Sequence, residues 1–594
     1  MSTHDDRIAR DRAALREAAG QGPAARGLTY LKLSGPGWLQ GAITLGGGSL
    51  AGGLYLGVLS GYGLLWLQPL AMAAGVAMLI AIVYVTLSTG RRPLALMTKE
   101  VNPVLGWGWA GATLMANTVW CLPQFSLATG VMRQNLFPEM LGGEGGLAVT
   151  VAILAATTLA VIISYERGGR GMVVFEAVMK LLVGVIVLCF VAVVVRLGLS
   201  GALGFDAIAA GFVPDAADAW TTPATLKGFF DAAGAAGAEF WGPLAAGERR
   251  DVMLTAVAVA VGINMTFLLP NSVLDRGWDR DFRGLAVFDL GLGLFIPFLI
   301  ATSCVVIASA SQFHGAYNEQ LVAATPDGAV PAEVASGKAV SGYLSLLDRR
   351  LAWERGADEV AGLGPDELVA ARAALPEADK RLAAILTKRD AADLADALAP
   401  LTGATVARIV FGVGVLAMAL STAIVLMLIN GYVFSEAFDA PRRGVVHFCG
   451  ALVPLAFGVV APFVWSEAMF WLAVPTSVFG IIFLPIAYAS FLMLMNSRRV
   501  LGDDTPRGGT RVAINIVLCG ALLLATFGAG WSIWARTAPF PGLGVPIRWV
   551  AIAAAVAFAA AAVACRRTGP AADGQEAADG NGATGVGSPD SADS

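Results

Sequence analysis

Long apolar runs separated by short polar loops make up most of the chain. A helix needs about 20 apolar residues to cross a bilayer, and about twelve runs approach that length. They lie near residues 37–59, 63–88, 107–131, 147–164, 172–197, 252–273, 285–310, 405–433, 444–464, 469–495, 512–534 and 547–565. The pattern predicts an all-α, polytopic membrane protein.

The first apolar run is interrupted by Gly46, Gly47, Gly48 and Ser49. Each glycine disfavours a helix by roughly 1 kcal/mol relative to alanine, so we expect the helix to unwind there. Irregular backbone at membrane depth survives only where protein or a polar cavity covers it, as at the substrate sites of secondary transporters. Glycines also allow close helix packing, and the residues alone leave both interpretations open.

The sixth run is the other unusual one, because it contains Asn264, Thr266, Pro270 and Asn271. Proline removes a backbone hydrogen bond, and asparagine is costly in hydrocarbon without a partner. Five spans lie between the starts of the two interrupted runs, as expected if spans one to five and six to ten are inverted repeats around a central pocket. A proline kink without any binding site is the alternative.

Composition agrees with a membrane protein: 56% of the residues are hydrophobic, 14% are charged, and the mean hydropathy is +0.69. The polar, arginine-bearing start predicts no cleaved signal peptide. A formal net charge of −4 argues against a nucleic-acid partner. Short loops rich in arginine alternate along the chain, which predicts that both termini are cytoplasmic. We expect a bacterial cytoplasmic (inner) membrane.

Two long polar insertions, 198–251 and 312–404, are predicted to be extracytoplasmic. The second has apolar residues at helical spacing among charges and should form amphipathic helices, either as a cap over the entrance or as a solvated surface. The tail is rich in Gly, Ala, Asp and Ser and should be disordered. The predicted regions are 1–34 (polar N-terminus), 35–197 (first repeat), 198–251, 252–311 (start of the second repeat), 312–404, 405–495 (rest of the second repeat), 496–565 (extra spans) and 566–594 (tail).

The stretch LKLSGPGWLQGAITLGGGSLAGGLYLGVLSGYGLLW carries a Gly-Pro-Gly near its start and a GY-x-LLW at its end. It resembles, without gaps, the opening of the Nramp (natural resistance-associated macrophage protein) divalent-metal transporters. The matching residues are Gly35, Pro36, Gly37, Gly61, Tyr62, Leu64, Leu65 and Trp66. Weaker similarity continues in FEAVMKLLVGVIVLCF, GVGVLAMALSTAIVLMLINGYVFSEAF and FGIIFLPIAYASFLMLMNSRRVLG. The resemblance implies a LeuT-like fold of 5+5 spans with one or two extra C-terminal helices, and alternating access.

The chain departs from the family at the metal ligands that the resemblance implies. Gly46 and Ser49 stand where the family has its metal-binding aspartate and asparagine. The family's Met-Pro-His in span six falls opposite Thr266, Phe267 and Leu268. The resemblance therefore puts the usual divalent-metal chemistry in doubt.

Other family positions differ as well. A shift of one residue would bring Met265 to the family's methionine position, while Gln124 and Leu127 replace the acidic residues of its third-span proton route. Ser477 replaces a tenth-span glutamine. Because divalent ions favour carboxylate or imidazole ligands, a dry and tight divalent site is disfavoured by these neutral replacements.

The remaining titratable residues are interpreted as structural. His4, His314 and His447 lie in tail, loop or span-edge positions and read as ordinary polar residues. Glu176 and Asp289 lie near span starts, where pairing with arginines of the nearby loops is favoured over a coupling role.

Three hypotheses follow: a transporter of a small cation or polar solute by alternating access, a weak divalent-metal transporter, and a receptor or scaffold that keeps the transporter fold. No motif indicates an enzyme or a cofactor. The expected partners are membrane lipid and a small ion or solute. The candidate substrate-binding residues are Gly46, Gly47, Gly48, Ser49, Asn264, Met265, Thr266 and Ser477, with Gln124 and Asn271 as pathway candidates.

Overall fold

The computed structural model describes residues 3–323, 337–388, 399, 403, 406–465 and 471–565. The predicted tail and part of the second insertion lie outside the described residues. The described part is helical and contains no strand, only an isolated bridge between Pro539 and Pro546.

The first span consists of two half-helices, α1 (Pro36–Thr44) and α2 (Gly47–Ser60), which meet at a bend of 50°. The break lies at Leu45 and Gly46, slightly before the predicted position. Gly47 and Gly48 belong to the first turn of α2, where close neighbours, described below, pack against them.

The sixth span is also broken. It consists of α7 (Gly234–Ala258) and α8 (Ile263–Asp275), which are separated by residues 259–262. The break therefore precedes Asn264, and Pro270 lies inside α8 without interrupting it. Helix α7 begins well before the apolar run at residue 252, and the part before that run carries Glu239, Glu248, Arg249, Arg250 and Asp251.

The other helices of the membrane region follow in chain order. The first repeat continues with α3 (Leu67–Thr89), α4 (Pro103–Val131), α5 (Gly146–Glu166) and α6 (Arg170–Leu199). After α8 come α9 (Arg283–Leu290) and α10 (Ile296–Phe313) around a π-helical turn at Gly291–Phe295, and α11 (Phe411–Ala437) after a π-helical turn at Val406–Val410. The last helices are α12 (Val445–Gly458), α13 (Ala461–Val464), α14 (Ala473–Ile481), α15 (Leu484–Met495), α16 (Gly508–Trp534) and α17 (Ile547–Ala564).

Among the described residues, ten helices are long and apolar enough to cross a membrane, and eleven if α1 and α2 count as one span. The remaining predicted run forms α4, whose buried Asn117 and Gln124 lower its hydropathy. Spans one to five and six to ten each start with a broken helix and, since five is odd, run in opposite directions. We call the side on which α1 begins the inner side.

The structure contains further helices in the remaining described segments. They are Thr3–Gln21, Pro23–Leu33, Pro93–Leu96, Met97–Val101 (π), Met132–Leu136 (π), Pro138–Leu141, Phe205–Gly211, Ala216–Trp220, Ala224–Ala232, Arg280–Phe282 (3-10), Glu319–Ala323, Gly337–Arg355, Ala357–Ala361, Pro365–Ala374, Glu377–Leu386, Arg498–Leu501 and Gly502–Asp504 (3-10).

Helices α2 and α10 pack closely through glycine. A Cβ built at Gly57 would collide with Ser309 Oγ and lie 2.6 Å from the Val306 carbonyl oxygen. Gly184 on α6, in contrast, has nothing within 4 Å of a built Cβ. Alanine substitution at these two positions therefore distinguishes the role of glycine in close packing from its effect on helix formation.

We predict that Gly57→Ala lowers the stability of the protein by about 1–3 kcal/mol, because the added methyl group overpacks the α2–α10 contact. The matched change Gly184→Ala should leave the stability unchanged or slightly higher, since alanine favours a helix over glycine. Thermal unfolding of both variants in detergent measures this difference. Equal melting temperatures for the two variants would contradict the packing role of Gly57.

Candidate functional site

A buried cavity lies where the breaks of the first and sixth spans face each other. It offers about 40 Å³ to the centres of water-sized molecules, enough for a few waters. The lining residues come from α1, α2, α4, α7, α8, α11 and α14 and from the breaks. They are Ile43, Thr44, Gly46, Gly48, Ser49, Trp120, Pro123, Gln124, Ala258, Val259, Gly262, Asn264, Met265, Thr422, Leu426, Ala473, Thr476 and Ser477.

Most of the candidate residues from the sequence meet at this cavity. Those that line it are Gly46, Gly48, Ser49, Asn264, Met265, Ser477 and the pathway candidate Gln124. Gly47, Thr266 and Asn271 do not line it.

Thr266 and Asn271 make their contacts elsewhere. The Thr266 hydroxyl accepts a hydrogen bond from Trp109 Nε1 at 2.9 Å and donates to the Ile263 carbonyl. Asn271 lies about two turns further along α8 than Asn264, where its Nδ2 donates to Glu436 Oε1 at 2.6 Å. Both side chains are thus bonded outside the cavity.

Gln124 caps the second half of the broken first span. Its Oε1 accepts a hydrogen bond from the Gly47 backbone N–H at 2.9 Å, while its Nε2 donates to the Trp120 carbonyl at 3.2 Å. The first backbone N–H groups of a helix have no partner within the helix. A neutral amide on α4 therefore satisfies one such group at the cavity wall.

Hydroxyl groups at the two breaks satisfy the carbonyl oxygens that the unwound backbone frees. Ser49 Oγ donates to the Thr44 carbonyl across the first break. Thr44 Oγ1 lies 3.1 Å from the Ala260 carbonyl of the second break and 3.0 Å from Met265 Sδ. One threonine thereby links both broken spans.

Helix α11 supplies two more hydroxyls from the side. Ser421 Oγ donates to the Ala42 carbonyl at 2.9 Å, and Thr422 Oγ1 lies 3.3 Å from the Ile43 carbonyl. The sequence reasoning missed Thr44 and Thr422. The available signal was the adjacent Ser-Thr pair in the middle of a long apolar run.

Gly46 in the first break and the two glycines that follow it at the start of α2 are also points of close packing. A Cβ at Gly46 would collide with Thr422 Oγ1, one at Gly47 with Leu127 Cδ1, and one at Gly48 would lie 2.7 Å from Val259 Cγ1. Helix interruption and close packing, which the sequence left as alternatives, therefore both apply.

The inner end of α1 is fixed by a buried carboxylate. Asp289 accepts hydrogen bonds from the Gly35 and Gly37 backbone N–H groups at 3.0 and 2.6 Å. Glu176 pairs with Arg276 at 2.5 Å. Arg276 belongs to the loop between α8 and α9, so Glu176 pairs with a loop arginine as the sequence predicts, whereas Asp289 binds backbone N–H groups instead.

The cavity wall is chemically neutral. It presents hydroxyl, amide, thioether and backbone groups, and none of its lining residues is acidic, basic or histidine. In the described part of the chain, no three His, Cys, Asp or Glu side chains come together in a way that could hold a metal ion. The wall can therefore bind a ligand through dipoles only.

Comparison with known proteins gives the family. The family model described as "Natural resistance-associated macrophage protein-like" matches residues 37–326 and 368–529, most of the chain. The protein belongs to the Nramp family. Membership in the Nramp family fits a membrane transporter rather than an enzyme, and no curated protein matches the chain.

Solved structures show the same fold for this Nramp protein. The manganese transporter of Eremococcus coleocola, in complex with an aromatic bis-isothiourea substituted compound, has a TM-score of 0.59 at 14% identity, covering 90% of this chain and 94% of that one. Two single-residue variants of that transporter give the same values. At this identity the likeness establishes the LeuT-like architecture alone.

We predict that Thr422→Val destabilises the protein by about 1–3 kcal/mol, because the buried Ile43 carbonyl loses this donor. Thr157→Val is the matched control, since the exposed Thr157 hydroxyl bonds only to the Ile153 carbonyl of its own helix. Thermal unfolding compares the two. A Thr422 variant as stable as the control would refute the role of α11 in closing the first break.

Proposed function

We propose that this Nramp protein is a secondary transporter that moves a small cation or polar solute by alternating access through the cavity between its two broken spans. Both termini would lie in the cytoplasm, in a bacterial inner membrane. The observation that carries the proposal is the neutral wall of a buried cavity at the breaks of both repeats. Secondary transporters of this architecture bind their substrates at such breaks.

The neutral wall favours a weakly hydrated or partly hydrated substrate. A divalent ion that sheds its water needs anionic ligands to offset the cost of dehydration, and Mg²⁺, Ca²⁺ and Mn²⁺ all favour carboxylates. Ser49, Asn264 and Ser477 offer neutral groups instead. These groups suit a singly charged ion or a small polar solute that keeps part of its hydration.

Alternating access requires the inner end of α1 to move. In the described contacts, α1 is held by Asp289, while Lys180 Nζ donates to the Ser34 carbonyl at 2.8 Å. Leu39, Ala42 and Ile43 of the same helix are buried in the core, and these hydrogen bonds add polar contacts at its inner end. Such contacts can break and re-form as the cavity opens to the inner side.

Weak transport of a divalent metal is the second candidate, and family membership favours it. Met265 supplies a thioether to the cavity, but sulfur ligands suit soft ions better than Mn²⁺ or Mg²⁺. The two candidates differ in the affinity that they predict for divalent ions.

The function is tested with purified protein reconstituted in liposomes. Uptake of K⁺, Rb⁺, NH₄⁺, Mn²⁺, Mg²⁺ and small neutral solutes is compared with and without proton and sodium gradients. The proposal predicts saturable uptake of a singly charged ion or polar solute, and its loss in Gly48→Leu, whose side chain enters the cavity. Saturable uptake of Mn²⁺ alone would favour the second candidate, and no uptake of any probe would favour a scaffold.

We predict that Ser49→Asp creates measurable Mn²⁺ binding, because it places a carboxylate on the neutral wall. Ser49→Asn, of equal size but uncharged, is the control and should not bind Mn²⁺. Isothermal titration calorimetry at millimolar Mn²⁺ measures both variants and the natural protein. Comparable Mn²⁺ affinity in the natural protein and in Ser49→Asp would contradict the neutral-site account.

A further inference from the structure

Three residues surround a point on the outer side of the cavity. Tyr55 lies on α2, six residues after Ser49, which places it roughly 9 Å further out along the helix. Glu248 lies on α7, ten residues before Ala258, and Trp471 lies two residues before the start of α14. Each of the three therefore lies outward of a cavity-lining segment, and together they mark the outer approach to the site.

The aromatic rings and the carboxylate hold an ammonium group. Lys388 Nζ lies 2.5 Å from Glu248 Oε2, 3.6 Å from the ring centroid of Trp471 and 5.9 Å from that of Tyr55. The two rings meet edge to face, with centroids 4.9 Å apart. The side chains of Lys388 and Glu248 are only 20% and 13% exposed, so water screens the ion pair weakly.

The second insertion holds Lys388 in this place. Lys388 follows the helix Glu377–Leu386 by two residues. That helix carries Asp379, a fully buried carboxylate that accepts a hydrogen bond from Trp241 Nε1 of α7 at 2.6 Å and lies 3.4 Å from Arg350 Nε. The insertion is thus anchored on the same helix that carries Glu248.

We propose that Tyr55, Glu248 and Trp471 form an outer binding site for a small, singly charged cation, and that Lys388 is its built-in occupant. Aromatic faces attract cations through their quadrupole, most strongly where water is excluded. The group found there is a primary ammonium, so the geometry suits ions of that size and charge. The site rests on the proposed function and narrows its substrate class from polar solutes to cations.

This arrangement makes Lys388 a competitor of the substrate. A cation that approaches from the outer side meets a site already filled by the protein's own ammonium group. The substrate therefore enters when it displaces Lys388, and the insertion sets the cation concentration at which this occurs. A neutral solute or an anion would not be attracted by Glu248 and the two aromatic rings and would therefore not displace Lys388.

The test measures access to the cavity independently of transport. A single cysteine replaces Ser49 in a variant that lacks the six native cysteines. Two membrane-impermeant methanethiosulfonate reagents, one cationic and one anionic, are added from the outer side. We expect Lys388→Met to raise the rate of labelling by the cationic reagent about tenfold, because the variant loses a partly desolvated cation–π contact and an ion pair. We also expect NH₄⁺ to protect Cys at position 49 against this reagent in the same variant.

Matched variants isolate the charge of Lys388. Lys388→Arg keeps the positive charge and should retain slow labelling. Lys227→Met removes an exposed lysine from the helix Ala224–Ala232 and should leave the labelling rate unchanged. Adding Glu248→Gln to Lys388→Met should abolish the preference for the cationic reagent. Thermal unfolding verifies that each variant is folded.

Two results would overturn the proposal. Labelling at the natural rate in Lys388→Met would show that the lysine does not occupy the approach. An equal increase in the labelling rates of the cationic and anionic reagents would show that Lys388 blocks access sterically and that the approach has no cation site. Charge-selective labelling without uptake in liposomes would instead retain the outer site and refute transport.

Discussion

The structure depends on one constraint: backbone groups freed at membrane depth must find partners inside the protein, because lipid provides none. Two broken spans free such groups at Leu45–Gly46 and at residues 259–262. The hydroxyls of Ser49 and Thr422 lie against carbonyls just before the first break, and that of Thr44 lies against a carbonyl within the second. Short neutral side chains therefore meet where another transporter would place charged ligands.

This constraint links the chemistry of the cavity to its mechanics. A hydroxyl bonded to a carbonyl is still able to exchange that bond for one to a substrate, at modest net free energy. The glycines at positions 46 to 48 bring the walls close together, so the cavity stays small. The same contacts that stabilise the breaks thus limit what the site can bind.

The sequence predicted the architecture well, because membrane spans are determined by local apolar runs and the resemblance at Gly35–Trp66 extends across the first break. It could not predict side-chain direction. Thr266 and Met265 are adjacent, yet only Met265 faces the cavity. Thr422 was missed because its partners lie 379 and 380 positions away in the chain, a pairing that no local pattern reveals.

The inner and outer sides of the cavity differ in their polar contacts. At the inner end, Asp289 accepts hydrogen bonds from backbone N–H groups at the start of α1 and so acts as a structural cap. At the outer end, the Lys388 ammonium group pairs with Glu248 and lies over the Trp471 ring. The second insertion could not be placed from its composition, because its amphipathic helices fit a solvated surface as well as a cap.

The most direct test of the central claim is anomalous diffraction from crystals soaked in Rb⁺ or, separately, in Mn²⁺. A neutral cavity predicts a Rb⁺ peak among Ser49, Asn264 and Ser477 and no Mn²⁺ peak there at millimolar concentration. A Mn²⁺ peak at that position, coordinated by the natural side chains, would contradict the account.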